Sequence, residues 1–401
     1  MKSKFKNLKP LIALAIGGFG IGMTEFVIMG ILPDVANALR ISIPMAGHFI
    51  AAYALGVVVG APTLSLLGSK WSAHKVLLAL MLWFTVFNTL SAFASNYEML
   101  LLARFMSGLP HGAFFGIGAV VAGKLAKDGK AAQAIAIMMA GLTLANVLGV
   151  PLGTYVGHHY HWSIAFLIVG ICGLLAMAGI YFWMPNLPPS SSKPLLSDLK
   201  VFQRPQLLAL ILLTTIGTGG FFAWYSYIAP LITEVAGHPE SVVSYAMVIA
   251  GLGMIVGNFL GAKMVERFSA LNAVFISLML MVFVLLLNTF LAESKVLVLV
   301  MTFVIGAVGF SISTPIQMAI IKASKGSEIL GSSMNQSAFN MGNASGAYLA
   351  GLPIAMGYGF TSADWVGAAL AGAGVLMAGT LLWAQGKTGI RFKKKKWALP
   401  T

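Results

Sequence analysis

Gly17-Gly18-Phe19-Gly20-Ile21-Gly22-Met23-Thr24-Glu25-Phe26-Val27-Ile28-Met29-Gly30-Ile31-Leu32-Pro33 is an apolar stretch with one acid set in it. The apolar run begins near Leu11, so it is long enough to cross a bilayer as a helix of ~20 residues. A carboxylate in hydrocarbon costs at least ~2.5 kcal/mol on the gentlest scale. Glu25 is tolerated there if it faces a cavity, meets a cation or carries a proton. Each route describes a proton or ion site. The structural alternative is an acid that only pins helix packing.

The rest of the chain has the same character. Of 401 residues, 58% are hydrophobic and 9% charged, against about 25% charged in soluble domains. Repeated runs of ~20 apolar residues predict an all-α integral membrane protein rather than a barrel. Twelve spanning segments are expected, at 9–32, 45–68, 75–95, 98–123, 131–156, 163–184, 206–235, 241–265, 270–291, 295–321, 329–356 and 362–385. The longest connection, 185–205, is rich in Pro and Ser and joins two sets of six. The expected organisation is an N-terminal six-helix bundle (1–184), a cytoplasmic linker (185–205), a C-terminal six-helix bundle (206–385) and a basic cytoplasmic tail (386–401). The opening Met1-Lys2-Ser3-Lys4-Phe5-Lys6 resembles a signal-peptide start. The apolar run behind it is too long for a signal core and carries Glu25, so the first segment reads as a retained helix. Cys172 is the single cysteine, which excludes an internal disulfide.

Lys and Arg set the orientation. Twenty-two fall in one set of alternating loops and the two ends, and two, Arg40 and Lys295, in the opposite set. This bias puts both termini in the cytoplasm, with the chain multi-pass in the inner membrane. It also explains the net charge of +14 without nucleic acid as a partner. The lysines at 393–396 read as a topology anchor or a contact with anionic lipid.

An internal repeat is visible. At an offset of 197, Pro33 falls on Pro230, Gly56 and Gly60 on Gly253 and Gly257, and Asn146 and Gly149 on Asn343 and Gly346. Six helices is an even number, so the halves insert in the same direction. Such a parallel repeat places a transport site between the halves near the midplane.

Four motifs carry a family resemblance: Thr24-Glu25-Phe26 followed by Gly30 and Pro33; Tyr53-Ala54-Leu55-Gly56 to Gly60-Ala61-Pro62; Pro110-His111-Gly112-Ala113-Phe114-Phe115-Gly116; and Gly149-Val150-Pro151-Leu152-Gly153-Thr154. Through them the chain resembles the major facilitator superfamily, most closely the arabinose efflux permease group among its twelve-helix drug:proton antiporters. The resemblance implies export of a small molecule against proton entry by rocking of two bundles. It implies a monomer in the lipid bilayer, with the proton gradient as energy source and no bound cofactor. The loop between segments 2 and 3 departs from the family pattern: it reads Gly68-Ser69-Lys70-Trp71-Ser72-Ala73-His74-Lys75, with no acid. The second half keeps the pair Glu266-Arg267. Lys70, Lys75, Glu266 and Arg267 are therefore gating candidates, the basic ones through carbonyls at helix C-termini.

Arg104 opens the spacing Arg104-xxx-Gly108-xxx-Gly112, which resembles the family's helix-4 arginine motif. Glu25 and Arg104 each lie about seven residues from the outer ends of their segments, so both sit ~10 Å below the outer surface at ~1.5 Å per residue. A buried guanidinium needs acceptors or an anion. Either Glu25 is the proton carrier, modulated by Arg104, or Arg104 braces backbone carbonyls of the first helix and never meets Glu25. His111 shares the Arg104 face, seven residues on, and is a relay, a substrate contact or a structural histidine. His158, His159 and His161 cluster in an outer loop; with no acid or cysteine nearby, an interfacial loop is expected rather than a metal site. Asp34 and its repeat neighbour Glu234 are expected to be solvated.

Amides and aromatic rings gather on segments 5, 7, 10 and 11: Asn146; Trp224, Tyr225 and Tyr227; Gln317; and Asn335, Gln336, Asn340 and Asn343. Gln336, Asn340 and Asn343 share one helix face, which must look inward because amides in lipid are costly. Such groups bind neutral polar molecules or bond helix to helix. Gly141, Gly149, Gly153 and Gly157 let segment 5 approach a neighbour closely, and Pro151 should bend it. This too resembles the family's antiporters. There is no nucleophile–base arrangement, phosphate loop or convincing metal set, so an enzyme is not expected. The reading is a proton-coupled antiporter of a sugar or drug. The alternative is a facilitator or proton symporter on the same scaffold.

Overall fold

The computed structural model describes residues 8–68, 71–126, 131–186, 203–324 and 328–384. Lys70, most of the expected linker, the basic tail and the side chain of Glu266 lie outside the described residues.

Among the described residues the chain forms twelve long helices. They are α1 (Leu8–Gly30), α2 (Ile43–Gly68), α3 (Ala73–Ala92), α4 (Tyr97–Leu125), α5 in two pieces (Ala131–Leu144 and Val150–His159), α6 (Trp162–Trp183), α7 (Pro205–Tyr225), α8 (Ser241–Arg267), α9 (Ala270–Leu291), α10 in two pieces (Lys295–Phe310 and Ser313–Ala323), α11 (Glu328–Ala355) and α12 (Ser362–Ala384). Eleven are long and apolar enough to cross a membrane. The other, α11, is 28 residues long but carries the amide stripe, which lowers its hydropathy. The fold is all-α and membrane-integral, as two six-helix bundles. Its outer surface is apolar: Leu174, Phe283 and Leu376 are each more than half exposed, an arrangement that suits lipid and not water. Exposed Trp183 and Trp383 lie toward the lysine-rich face, and exposed Tyr160, Tyr358 and Trp365 toward the lysine-poor face, as interfacial girdles do.

The breaks lie beside prolines, which cannot donate to the carbonyl four residues back, though Pro62, Pro110 and Pro353 sit inside unbroken helices. α1 stops at Gly30 and a short helix, Leu32–Leu39, follows with Pro33 in its first turn. The expected continuous segment 206–235 is broken: after Tyr225 come a short piece, Ile228–Pro230, and a wide turn, Leu231–Val235. Pro230 leaves the Ser226 carbonyl without its helical donor. Pro315 does the same to Ser311, which splits the expected segment 295–321. In α5 the wide turn Ala145–Gly149 absorbs the donor missing at Pro151.

Glycines fix the repeat in three dimensions. A Cβ at Gly56 or Gly60 on α2 would run into the carbonyls of Phe105 and Leu109 on α4. A Cβ at Gly253 or Gly257 on α8 would meet those of Phe303 and Ala307 on α10. The neighbour that the α5 glycines approach is α1: Gly141 abuts the Ala15 carbonyl, Gly149 the Phe19 ring, Gly153 Val27 and Gly157 Ile31.

The two faces of the molecule differ. Toward the lysine-poor face one apolar core takes residues from both halves, including Phe26, Phe49 and Phe166 with Phe222, Met247 and Ile305. Toward the lysine-rich face there are two separate cores. One holds only first-half residues such as Leu14, Leu77 and Met138; the other holds only second-half residues such as Leu207, Leu278 and Ile316. Among the described residues the halves thus share an apolar core at the lysine-poor end and keep separate cores at the other.

Gly60→Val should lower the apparent Tm of the detergent-solubilised protein by several degrees, because overpacking against a backbone costs about 1–3 kcal/mol. Gly372→Ala, whose added Cβ would find only Val282 at 4.0 Å, should leave it unchanged. Thermal size-exclusion profiles compare the two.

Candidate functional site

Thr24 and Glu25 are successive residues of α1, so their side chains leave the helix about 100° apart. Thr24 takes the cation. Arg104 on α4 is fully buried and donates from Nη1 to Thr24 Oγ1 at 2.8 Å and from Nη2 to the Thr24 carbonyl at 3.0 Å. The Thr24 hydroxyl donates onward to Asn88 Oδ1 on α3, and Asn88 Nδ2 donates to the Phe84 carbonyl at 2.8 Å. The guanidinium lies over the Tyr53 ring of α2, 4.4 Å from its centroid, with Phe166 at 5.3 Å. The Tyr53 hydroxyl is 3.1 Å from His111 Nδ1. A buried chain of polar contacts therefore runs Asn88, Thr24, Arg104, Tyr53, His111.

Glu25 stands beside this chain but outside it. It is 3% exposed, and its Oε1 has no hydrogen-bond partner. Arg104, Tyr53 and, from the second half, Tyr225 lie within electrostatic reach. No ion pair with Arg104 forms here; the guanidinium is bonded to Thr24 on α1 instead. The physical reason is that Thr24 presents a hydroxyl and a carbonyl to the guanidinium together, which matches its forked donors.

Phe26, next along α1, carries the chain across to the second half. Its ring stacks on Phe222, centroids 6.3 Å apart, and meets Tyr225 edge-on at 5.9 Å. Tyr225, Trp224 and Tyr227 are all about 1% exposed. Tyr227 donates to the Ala347 carbonyl of α11 at 2.9 Å and fills the space over Gly47 of α2 and Gly351 of α11. Trp224 Nε1 has no partner. In this conformation these rings form the seal at the lysine-poor end.

The amides divide into two groups. Gln317 Oε1 accepts from Asn335 Nδ2 at 2.5 Å, and Thr214 donates to Asn335 at 3.4 Å, a link between helices. Asn340 Nδ2 donates to the Gln336 carbonyl at 3.1 Å, but Asn340 Oδ1 is unpartnered. Both side-chain atoms of Asn343 and Oδ1 of Asn146 are also buried without partners. Gln336 is half-buried and Lys75 exposed. Arg267 ends α8 with its guanidinium 5.9 Å from the Phe268 ring. Gly149 and Pro151 flank the bend of α5, and Gly153 packs on Val27.

Two placements differ from expectation, and one acid went unread. Asp34 is only partly exposed, and its carboxylate lies 2.8 Å from His158 Nδ1. His158 is not part of a loop without acids, because folding brings Asp34 and Glu240 to it from distant sequence. Asp364, a further acid, is fully buried in the first turn of α12 and accepts from Asn288 Nδ2 at 3.0 Å. Of the polar chain, Asn88 lies outside the motifs, and Tyr53 opens one of them without a role being assigned to it. A lone amide within an apolar segment was the available signal for Asn88, and an acid inside segment 362–385 the signal for Asp364.

Twelve long helices among the described residues, eleven of them of spanning length and apolarity, arranged in two like halves that share a core at one end beside a buried acid, fit a membrane transporter. A model of the Major Facilitator Superfamily matches residues 14–334, and the chain belongs to that family. It is a transporter and not an enzyme. It is 39% identical over 352 residues to the putative transporter AraJ of Escherichia coli (strain K12), covering 88% of this chain and 89% of that protein. It is 39% identical over 369 residues to the inner membrane transport protein YdhP of the same strain, covering 92% and 94%. A chloramphenicol resistance protein of Streptomyces lividans is 28% identical over 374 residues, covering 92% and 95%. The fold is similar to the crystal structure of the nucleoside transporter NupG (D323A mutant), with TM-score 0.74 at 13% identity, covering 94% of this chain and 99% of that one. It is also similar to a bacterial homolog of the human lysosomal transporter Spinster in an inward-facing, unoccupied conformation, with TM-score 0.67 at 15% identity and 96% of both chains covered.

Thr24→Val removes one Arg104 acceptor and the donor to Asn88. It should destabilise the first bundle by about 1–3 kcal/mol, the cost of stranding buried polar groups, while Thr24→Ser should stay near wild type. Thermal denaturation in one detergent reads the difference.

Proposed function

We propose that the protein is a proton-coupled exporter that exchanges protons for a small molecule, a sugar or a drug, by alternating access across the inner membrane. On this reading the lysine-rich face, with both termini, is cytoplasmic, and the described conformation is inward-open and sealed outside. The observation that carries the reading is Glu25, an acid in the sealed interface with an unpartnered oxygen and the nearby cation engaged on Thr24. A carboxylate without a touching counter-charge is costly in such a setting, whereas the neutral acid is tolerated.

The cycle follows. With the seal parted, water and a proton reach Glu25 from outside. Protonation removes the charge cost and favours the sealed, inward-open state. Substrate entering from the cytoplasm helps displace the proton inward, and the loaded carrier returns outward. Proton and substrate need not touch; each need only prefer a different state. His111 and Tyr53, bonded to each other beside Arg104, extend the polar path. The unpartnered atoms of Asn146, Trp224, Asn340 and Asn343 offer hydrogen bonds to an uncharged polar ligand from both halves. Tyr225, Tyr227, Gln336 and Gln317 are the neighbouring candidates. Two points favour export: the α5 glycine and Pro151 pattern, and the relative named for chloramphenicol resistance, since a transporter gives resistance by removing the drug. Lys75, Arg267 and the bend at Gly149 to Gly153 are assigned to gating.

Inverted membrane vesicles test the scheme. Acidifying the lumen should drive accumulation of the transported member of a radiolabelled panel that includes arabinose and chloramphenicol. Glu25→Gln, at equal expression, should lose gradient-driven accumulation by at least tenfold and keep downhill exchange. Unchanged driven transport in that variant removes Glu25 as the proton carrier. Accumulation driven by the opposite gradient makes the protein a symporter.

A further inference from the structure

A cluster at the outward rim plays no part in the cycle above. Asp34 lies in the first turn of Leu32–Leu39, His158 in the last turn of α5, and Glu240 just before α8. One ligand atom from each lies within 4.8 Å of the other two. The His158 side chain is 3% exposed, and its Nδ1 lies 2.8 Å from Asp34 Oδ2. Neither of these two atoms has a hydrogen-bond partner, nor has His158 Nε2. The close pair is therefore in contact without the alignment of a hydrogen bond. Buried polar atoms left this way are costly, and a cation shared between them relieves the cost. The other histidines of this face are engaged elsewhere: His159 with the Tyr155 carbonyl at 2.9 Å, His161 with Ser163 at 2.8 Å, and His238 with the Lys295 carbonyl at 2.8 Å.

We propose that Asp34, His158 and Glu240 form a binding site for a divalent transition-metal cation of the zinc type, built only when the outward face is closed. One imidazole and two carboxylates suit Zn²⁺ better than the all-oxygen preference of Ca²⁺ or Mg²⁺. Bonds of about 2.0–2.2 Å in a tetrahedral site set the ligand atoms about 3.4 Å apart. The exposed Glu240 side chain can swing in to that distance, and Asp34 and His158 need to part only slightly. Water takes the fourth position, and exposed Glu240 gives the ion its entry from the outside solution. Two ligands belong to the first half and one to the second, so parting the seal dismantles the site. A metal ion that binds only one state raises the population of that state. External zinc would thus hold the carrier inward-open and slow its cycle, whatever the substrate.

The experiment uses the tag-free full chain in nanodiscs with zinc chloride as the probe. Calorimetry should give one Zn²⁺ per chain, with affinity reduced at least tenfold in Glu240→Gln and in His158→Ala. Glu240→Gln changes an exposed side chain, so it keeps the test valid where the buried His158→Ala fails to fold. Spin labels at Tyr160→Cys and Val296→Cys, both exposed on this face, in a Cys172→Ser background, report the distance between the halves. Zinc should enrich the short distance in the parent and not in Glu240→Gln. Zinc binding that Glu240→Gln leaves intact, binding removed instead by His159→Ala or His161→Ala, or binding without a change in the distance distribution would each overturn the proposal. Loss of zinc inhibition with proton-driven transport intact separates this site from the role of Glu25.

Discussion

Arg104 makes both of its directed bonds to a single residue, Thr24, one to the hydroxyl and one to the carbonyl. Hydrocarbon offers no water to take the place of a missing partner, so a full charge at this depth is stable only where acceptors are fixed. Thr24 supplies two from one position on α1. The guanidinium is thereby held flat over Tyr53, and α1, α2, α3 and α4 are tied together at one depth. Glu25 is left without a permanent counter-ion, the condition on which the proposed proton coupling depends.

Around that tie, each half is built for close approach of backbones. α2 lies on α4 and α8 on α10 through pairs of glycines that face carbonyls. Small residues bring helices near enough for dispersion to hold them where no hydrophobic force acts between them. The halves meet instead through rings, with Phe26 against Phe222 and Tyr225 and Tyr227 over Gly47 of α2. An aromatic contact between rigid bodies can part and reform without unfolding either. One shared core at the lysine-poor face and two separate cores at the other fit a joint that is closed at the lysine-poor end.

The proline breaks serve the same joint. α1 and α7 both stop short near the seal, at Gly30 and Tyr225, ahead of the repeat-related Pro33 and Pro230. α5 bends through its wide turn at the point where Asn146 comes up against Gly251 of α8. These contacts fall where the helical ladder is already interrupted and the backbone can adjust cheaply, whereas α2 and α11 meet across the halves as unbroken helices.

The chain by itself determined the class of the molecule. Apolar runs of spanning length, the Lys and Arg bias and the 197-residue offset are local or periodic properties, and they needed no tertiary contact to be read. The buried acid and buried arginine were legible too, because a charge inside an apolar run is conspicuous whatever surrounds it. What lay beyond that reading was partnership. The choice of Thr24 over Glu25 as the arginine's partner depends on which way two adjacent side chains of α1 face once α4 has docked. The helix breaks in α7 and α10 depended on whether the bundle would tolerate a proline bend or require a full stop. Asp34, His158 and Glu240 are over a hundred residues apart at their extremes and carry no common spacing. Only packing of the short helix after α1, the end of α5 and the start of α8 on one face makes them neighbours, because distance in a folded chain is set by the docking of helices and not by the order of residues.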